Sequence, residues 1–299
     1  MSPDRDGSLD ARLVRALQRD GRASIQRLAA DLGAPRSVVS ERLHALTGSG
    51  TVRVVAAYDP AFVGQTVIAH LSVAIDRAAL PVARALAGIE EAVLVSCVGG
   101  LHDIVVEIRV DSNAALAAAL HRVRSTPGVT EVRTQRYTDI VKGLFIPRYD
   151  GVSGTDAIDR HLVELLQRDG RASYSSLARA VSLSAPATRA RVQRLLATGI
   201  VTVSAVETRG ALGRQLSMGL GITLGADAGD VLAALRAEPA VEFAAECIGS
   251  FDVVATIAAP TSSDLLGHLD ALRALPGILR LTAWQHLELV KEDYYRQML

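Results

Sequence analysis

Apolar residues Leu9, Leu13, Ala16 and Leu17 recur at helical spacing, so residues 9–19 predict an amphipathic helix. Asp20-Gly21-Arg22 ends it, with Gly21 expected as a left-handed cap. Ser24 suits the N-cap of a second short helix bearing Ile25, Leu28, Ala29 and Leu32. Gly33-Ala34-Pro35 reads as a turn, and the proline favours a fresh helix start. In that third helix Val39, Leu43 and Leu46 point inward, while Arg36, Ser37, Ser40, Glu41 and His44 point outward. Gly50 ends it, and residues 51–55 predict a strand or wing.

After Gly64 the pattern changes to alternation and β-branching. Strands are expected at 66–75, 93–98, 104–110 and from Pro127-Gly128 to about 141, with helices at 78–87 and 112–124. The order βαββαβ is the ferredoxin-like split βαβ.

The chain then repeats itself at an offset of 149, without insertion or deletion. Leu17 to Ser24 returns as Leu166 to Ser173, Leu28-Ala29 as Leu177-Ala178, and Pro127-Gly128 as Pro276-Gly277. The only two lysines, Lys142 and Lys291, fall on equivalent positions. The expected fold is α+β, two copies of a winged helix-turn-helix domain followed by a ferredoxin-like domain. Its boundaries are 1–60, 61–150, 151–209 and 210–299, with a short polar linker from Asp150 to Thr155.

Net charge is zero over the 299 residues, but its distribution is uneven. Residues 9–54 hold eight arginines against Asp10, Asp20, Asp31 and Glu41; residues 158–203 hold seven against Asp159, Glu164 and Asp169. Two basic segments on acidic bodies suit polyanion binding. No apolar run reaches membrane-helix length, the polar start lacks a signal peptide's apolar core, and Cys97 and Cys247 make no disulfide framework. A cytoplasmic protein without a membrane association is expected.

Three short helices with a tight turn before the third form the helix-turn-helix pattern, whose outer polar face can enter a major groove of double-stranded DNA. Candidate DNA contacts are Arg27, Arg36, Ser37, Ser40, Arg42 and His44 in the first copy. In the second they are Arg189, Arg191, Gln193 and Arg194, with Thr188, Val192 and Leu195 inward and Ser184 as N-cap. The scaffold residues match and the readers differ. Either the two modules prefer different half-sites, or the second, which starts Ala185-Pro186-Ala187, has lost DNA binding.

This arrangement resembles the leucine-responsive/asparagine-operon (Lrp/AsnC) family of transcription regulators. The match rests on the opening Leu-Asp helix, the Leu-Gln-Arg-Asp-Gly-Arg-Ala-Ser segment, Arg42 with Leu46 and Gly50, the Gly-x-x-Asp turns, and Pro-Gly-Val/Ile before each last strand. Family members are usually one copy of about half this length, so the fusion departs from the pattern. The resemblance implies DNA binding, and a small effector, often an amino acid, at the second (RAM) domain. Carried over, the effector turns are Gly100, Leu101, His102 and Asp103, and Gly249, Ser250, Phe251 and Asp252. Aspartate can pair with an α-ammonium group, or merely cap a tight turn. The resemblance further implies pairing of RAM domains, here within one chain, and further self-association into a dimer or tetramer of chains.

No catalytic constellation, phosphate loop or metal-ligand spacing stands out among the seven histidines and two cysteines, so no catalytic residue, cofactor or metal is expected. Siroheme decarboxylases resemble the same two-domain fold, and are the enzyme alternative. They need arginine and histidine lining a tetrapyrrole-sized cavity, whereas the first RAM strand offers only His70, whose counterpart is Gly219. A third alternative is an amino-acid-sensing module acting on a protein partner. His70 and His161 read as packing or surface residues.

Overall fold

The computed structural model describes residues 9–143, 154–207, 216–226 and 228–292. The first copy runs α1 (Leu9–Arg19), α2 (Ile25–Leu32), α3 (Arg36–Gly48), β1 (Val52–Tyr58), a 3-10 turn (Pro60–Val63), β2 (Val67–Ile75), α4 (Ala79–Ala87), β3 (Ala92–Gly99), β4 (Ile104–Val110), α5 (Asn113–Arg124) and β5 (Val129–Lys142). The second runs α6 (Ala157–Arg168), α7 (Tyr174–Ala180), α8 (Ala185–Ala197), β6 (Val201–Glu207), β7 (Leu216–Leu224), α9 (Ala228–Ala237), β8 (Val241–Ile248), β9 (Val253–Ala259), α10 (Ser262–Arg273) and β10 (Ile278–Glu292). The α+β class and both βαββαβ orders stand. Of the expected linker, only Gly154 and Thr155 lie within the described residues, and both boundaries at 150/151 and 209/210 lie outside them.

Contacts gather the chain into two compact units, each drawing on both copies. One unit pairs the helix-turn-helix modules. Leu13, Leu17, Leu28, Val39, Leu43 and Leu46 bury the first module's core, and Leu162, Leu166, Leu177, Thr188, Val192 and Leu195 the second's. Ser24 and Ser173 accept from the backbone N–H groups of Arg27 and Ser176, as N-caps do. The strand expected as a wing takes another part: β1 pairs antiparallel with β6 from Val52↔Glu207 to Tyr58↔Val201. Two β-branched strands thereby satisfy each other's backbone groups.

Gly21 is not the left-handed cap expected. Its φ is not positive; a Cβ there would lie 2.8 Å from the Val203 carbonyl oxygen, because the Gly21 N–H donates to that oxygen at 3.0 Å. Gly170 donates to Val54 at 2.9 Å in the reciprocal contact. Arg22 donates to the carbonyls of Gly170 (2.6 Å) and Ala172 (3.0 Å), and Arg171 to those of Gly21 (2.6 Å) and Ala23 (3.0 Å). The repeated Asp-Gly-Arg is therefore a mutual clasp between modules.

In the other unit all eight strands close into a barrel in the order β10-β3-β4-β2-β5-β8-β9-β7. Closure comes from the two longest strands. β5 pairs with its own β2 over residues 129–136 and then with β8 of the second copy, while β10 pairs with β7 and then with β3. No four-stranded sheet keeps an open edge, which removes a template for stray pairing. Alternate residues of each sheet (Ala69, Leu71 and Val73 on β2; Leu220 and Ile222 on β7) pack under the helices in two apolar cores. The opposite faces meet inside the barrel, where Val98, Val105, Cys247, Phe251, Val254 and Trp284 cluster.

The two lysines occupy equivalent reaches across this junction. Lys142 Nζ donates to the Glu238 carbonyl at 2.6 Å just beyond α9, and Lys291 Nζ to the Ala87 carbonyl at 3.0 Å at the end of α4. Each caps a helix C-terminus of the other copy.

Candidate nucleic-acid interface and ligand turns

On α3 the inward set is buried as expected, and the first turn presents Arg36 and Ser37 to solvent, followed by half-buried Ser40 and exposed His44. Arg27, on α2, is exposed and shares its charge with Asp20 (3.4 Å) and Asp31 (3.8 Å). On α8, Arg189 and Gln193 are exposed, and the Arg189 guanidinium lies 5.9 Å from the Tyr174 ring centre.

Three expected readers are placed otherwise. Arg42 forms a two-pronged ion pair with Asp10 on α1, which raises its pKa through the Asp10 hydrogen bond. Its counterpart Arg191 contacts Asp156 (2.8 Å) and Asp159 (2.9 Å), and Arg194 joins Asp159 and the Gly154 carbonyl. These guanidiniums tie the third helix to the first, and the buried Asp159 requires their charge. The signal was present in sequence: the Leu-Asp opening and the arginine 32 residues later recur together in both copies.

The Gly-x-x-Asp turns sit where the copies meet within the barrel unit. Gly100 has φ +139° and Gly249 φ +153°; a Cβ at Gly100 would lie 3.3 Å from the Ala283 oxygen, and at Gly249 2.6 Å from the Thr134 oxygen. Each turn thus lies directly on the last strand of the other copy, an approach and a conformation only glycine permits. Asp103 Oδ2 accepts the Ile75 N–H at 3.0 Å and Asp252 Oδ2 the Leu224 N–H at 2.8 Å. Both carboxylates therefore cap a strand end, the simpler of the two roles weighed for them.

Leu101 and Ser250 face outward. His102 and Phe251 do not: both are buried in the barrel. Leu101, at 58 % exposure, is the most open side chain of the first turn. Cys97 and Cys247 are free and buried, and burial pushes the Cys247 thiol up to about 12. Among the described residues no helix is long and apolar enough to cross a membrane, and no group of three or more His, Cys, Asp or Glu residues is arranged to hold a metal.

Residues 8–47 and 156–196 match the AsnC-type helix-turn-helix domain, and residues 66–143 the Lrp/AsnC ligand binding domain. HTH-type transcriptional regulator FL11 of Pyrococcus abyssi is 30% identical over 128 residues, 42% of this chain and 85% of that one. An uncharacterized HTH-type transcriptional regulator of Pyrococcus furiosus is 30% identical over 137 residues, 45% of this chain and 93% of that one. The crystal structure of the siroheme decarboxylase NirDL superposes with a TM-score of 0.66 over 96% of this chain and 93% of that one, at 13% identity, a likeness of fold alone.

The protein thus carries two helix-turn-helix domains of a regulator type and, in its first copy, a matching ligand-binding domain. It belongs to the Lrp/AsnC family of transcription regulators.

Proposed function

We propose that the chain is a sequence-specific DNA-binding transcription regulator that engages an asymmetric operator and answers to a small effector held by its barrel unit. The observation that carries this reading is the fixed pairing of two modules whose exposed third-helix residues differ. Arg36, Ser37, Ser40 and His44 face outward on α3, where α8 has Ala185, Pro186, Arg189 and Gln193. The first helix is the stronger reader, since arginine can bond guanine bidentately and alanine and proline cannot. Arg27 is assigned to the phosphate backbone.

The effector is assigned to the outward side of the turns Gly100–Asp103 and Gly249–Asp252, with Leu101 and Ser250 as the residues that differ between them. An amino acid is the class implied by family resemblance. Further association of chains into dimers or tetramers through the barrel units belongs to the same reading.

The enzyme alternative draws on fold alone. Gly219, the counterpart of His70, lies under the Trp284 indole, and Gly221 under the Phe251 ring, so aromatic side chains fill that side of the barrel. Genomic footprinting with purified protein tests the regulator reading. A discrete footprint with two unlike halves is expected; none at any site would leave a protein-partner role in its place, and a Soret band on adding siroheme would restore the enzyme.

A further inference from the structure

The barrel interior differs between its two sides, although repeat-equivalent strands build both. In the first copy Glu107, His70 and Gln135 form a transverse row across β4, β2 and β5. The equivalent row of the second copy, across β9, β7 and β10, is Thr256, Gly219 and Trp284. Ser72 is matched by Gly221, and His102 by Phe251. Trp284 and His70 approach across the interior with ring centres 5.6 Å apart.

The first-copy side is short of partners. Gln135 is fully buried with neither amide atom hydrogen-bonded, and the buried Trp284 indole N–H is also unpaired. His70 Nε2 lies 3.5 Å from the Ser72 hydroxyl. Burial, then the nearby His286 and His102, push its pKa down to about 3, so it is neutral at ordinary pH. Glu107 is neutralised by Arg109 at 2.8 Å. Buried donors and acceptors without partners are uncommon in folded proteins and mark places where another molecule completes the set. Here the set holds one amide donor and acceptor side by side, an imidazole, and an indole N–H, without net charge.

We propose that the first-copy side of the barrel interior is a binding site for one small, neutral, planar molecule carrying an adjacent hydrogen-bond donor and acceptor. A nucleobase or an aromatic carboxamide has this chemistry. Its edge pairs with the Gln135 amide, and its ring lies with His70 and Trp284. The second copy has no such site, because Trp284 and Phe251 occupy the space over its two glycines. The site is separate from the outward faces of the turns and takes a different kind of ligand.

Trp284 is the sole tryptophan of the chain, so intrinsic fluorescence of the full-length protein reports on this position directly. Nicotinamide and hypoxanthine serve as probes, with nicotinate as the charged analogue. A saturable fluorescence change is expected with at least one neutral probe. Binding should weaken about tenfold or more for nicotinate and for Gln135→Leu, the equivalent of about 1.4 kcal/mol. Gln135→Met, with thermal shift as the readout, covers the case in which Gln135→Leu folds poorly. No saturable response to either neutral probe, or one that Gln135→Leu and Gln135→Met leave unchanged, overturns the proposal.

Discussion

Replacing Arg22 by alanine should loosen the pair of helix-turn-helix modules more than any other single truncation on their surface. Its guanidinium donates to two carbonyls of the opposite module and lies 4.9 Å from the Tyr174 ring centre. Each charge-assisted bond is worth about 1.5–3 kcal/mol net, the lower end applying here because the freed carbonyls can rehydrate. The stacking adds about 0.5–1 kcal/mol. Arg22→Ala should therefore cost roughly 3.5–4 kcal/mol, and Arg171→Ala about 3 kcal/mol from its two bonds. Burial, then the neighbouring Arg22, hold the Arg171 pKa below its usual value without threatening its charge. Once one clasp opens, the other holds less, so the double variant should cost less than the sum of the singles. Chemical denaturation of the full chain measures the stability, and titration against operator DNA measures the consequence. Freed modules lose their fixed spacing, hence the effective concentration of the second contact, so affinity should fall. If both single variants cost under about 0.5 kcal/mol, within the range of ordinary surface substitutions, the β1–β6 ribbon alone holds the modules and the clasp reasoning is wrong.

Lys142→Met and Lys291→Met should each destabilise the barrel unit by about 0.3–2 kcal/mol, as loss of a cation at a helix C-terminus does; denaturation midpoints unchanged in both would contradict the capping role. His70 contributes an acid sensitivity. Its folded pKa of about 3 lies below the unfolded value, so both states are neutral above about 6.5. As pH falls through the window from 6.5 to 3 the unfolded chain binds the extra proton, and stability drops by about 1.4 kcal/mol per unit. His70→Asn should flatten that loss between pH 6.5 and 5, measured by denaturation at each pH; an equal slope in both proteins would exclude His70 as its source. In DNA binding, Arg36→Ala should relax base preference by roughly 1–3 kcal/mol at one position, whereas Arg27→Ala should weaken all sequences alike and make the log–log salt slope shallower by about 0.9. Equal weakening of specific and random DNA by Arg36→Ala would remove it from the reader set.

Periodicity located the helices and strands of the first copy, though not the 3-10 turn at Pro60–Val63, because each has one face to bury and that requirement is written locally. The inward residues of α3 and α8 were legible for the same reason. What the local pattern does not carry is the partner of a side chain far along the chain. Arg42 and Arg191 look like readers on their own helices, and only the folded module brings Asp10 and Asp159 to them. The strand after Gly50 looks like a wing until β6 lies beside it. Gly21 follows a helix, as a cap would, but is constrained by a backbone 182 residues away. His102 sits in a turn, where nothing local shows that the barrel draws it inward. A long-range device that the sequence did advertise was the pair of lysines at a common offset, whose reciprocal caps join the two copies.

Fusion changes what such a pair can become. Two identical chains must place the same residue at both equivalent positions of a shared interior. A tryptophan at the position of Trp284 then needs a glycine opposite it twice over, because a Cβ at Gly219 would lie 2.0 Å from the indole nitrogen. An imidazole at position 70 would be excluded from both halves by the same geometry. Joined copies escape this requirement. One half keeps His70 with Gln135 and the other Gly219 with Trp284, and each combination is compatible only with its own strand neighbours. The same freedom acts on the helix-turn-helix modules, where the clasping arginines are alike and the exposed third-helix residues are not. Residues that hold the halves together have stayed symmetric, because each clasp completes the other. Divergence reaches the exposed residues of the third helices and the barrel interior, and at both places two unlike halves can do what two identical ones cannot.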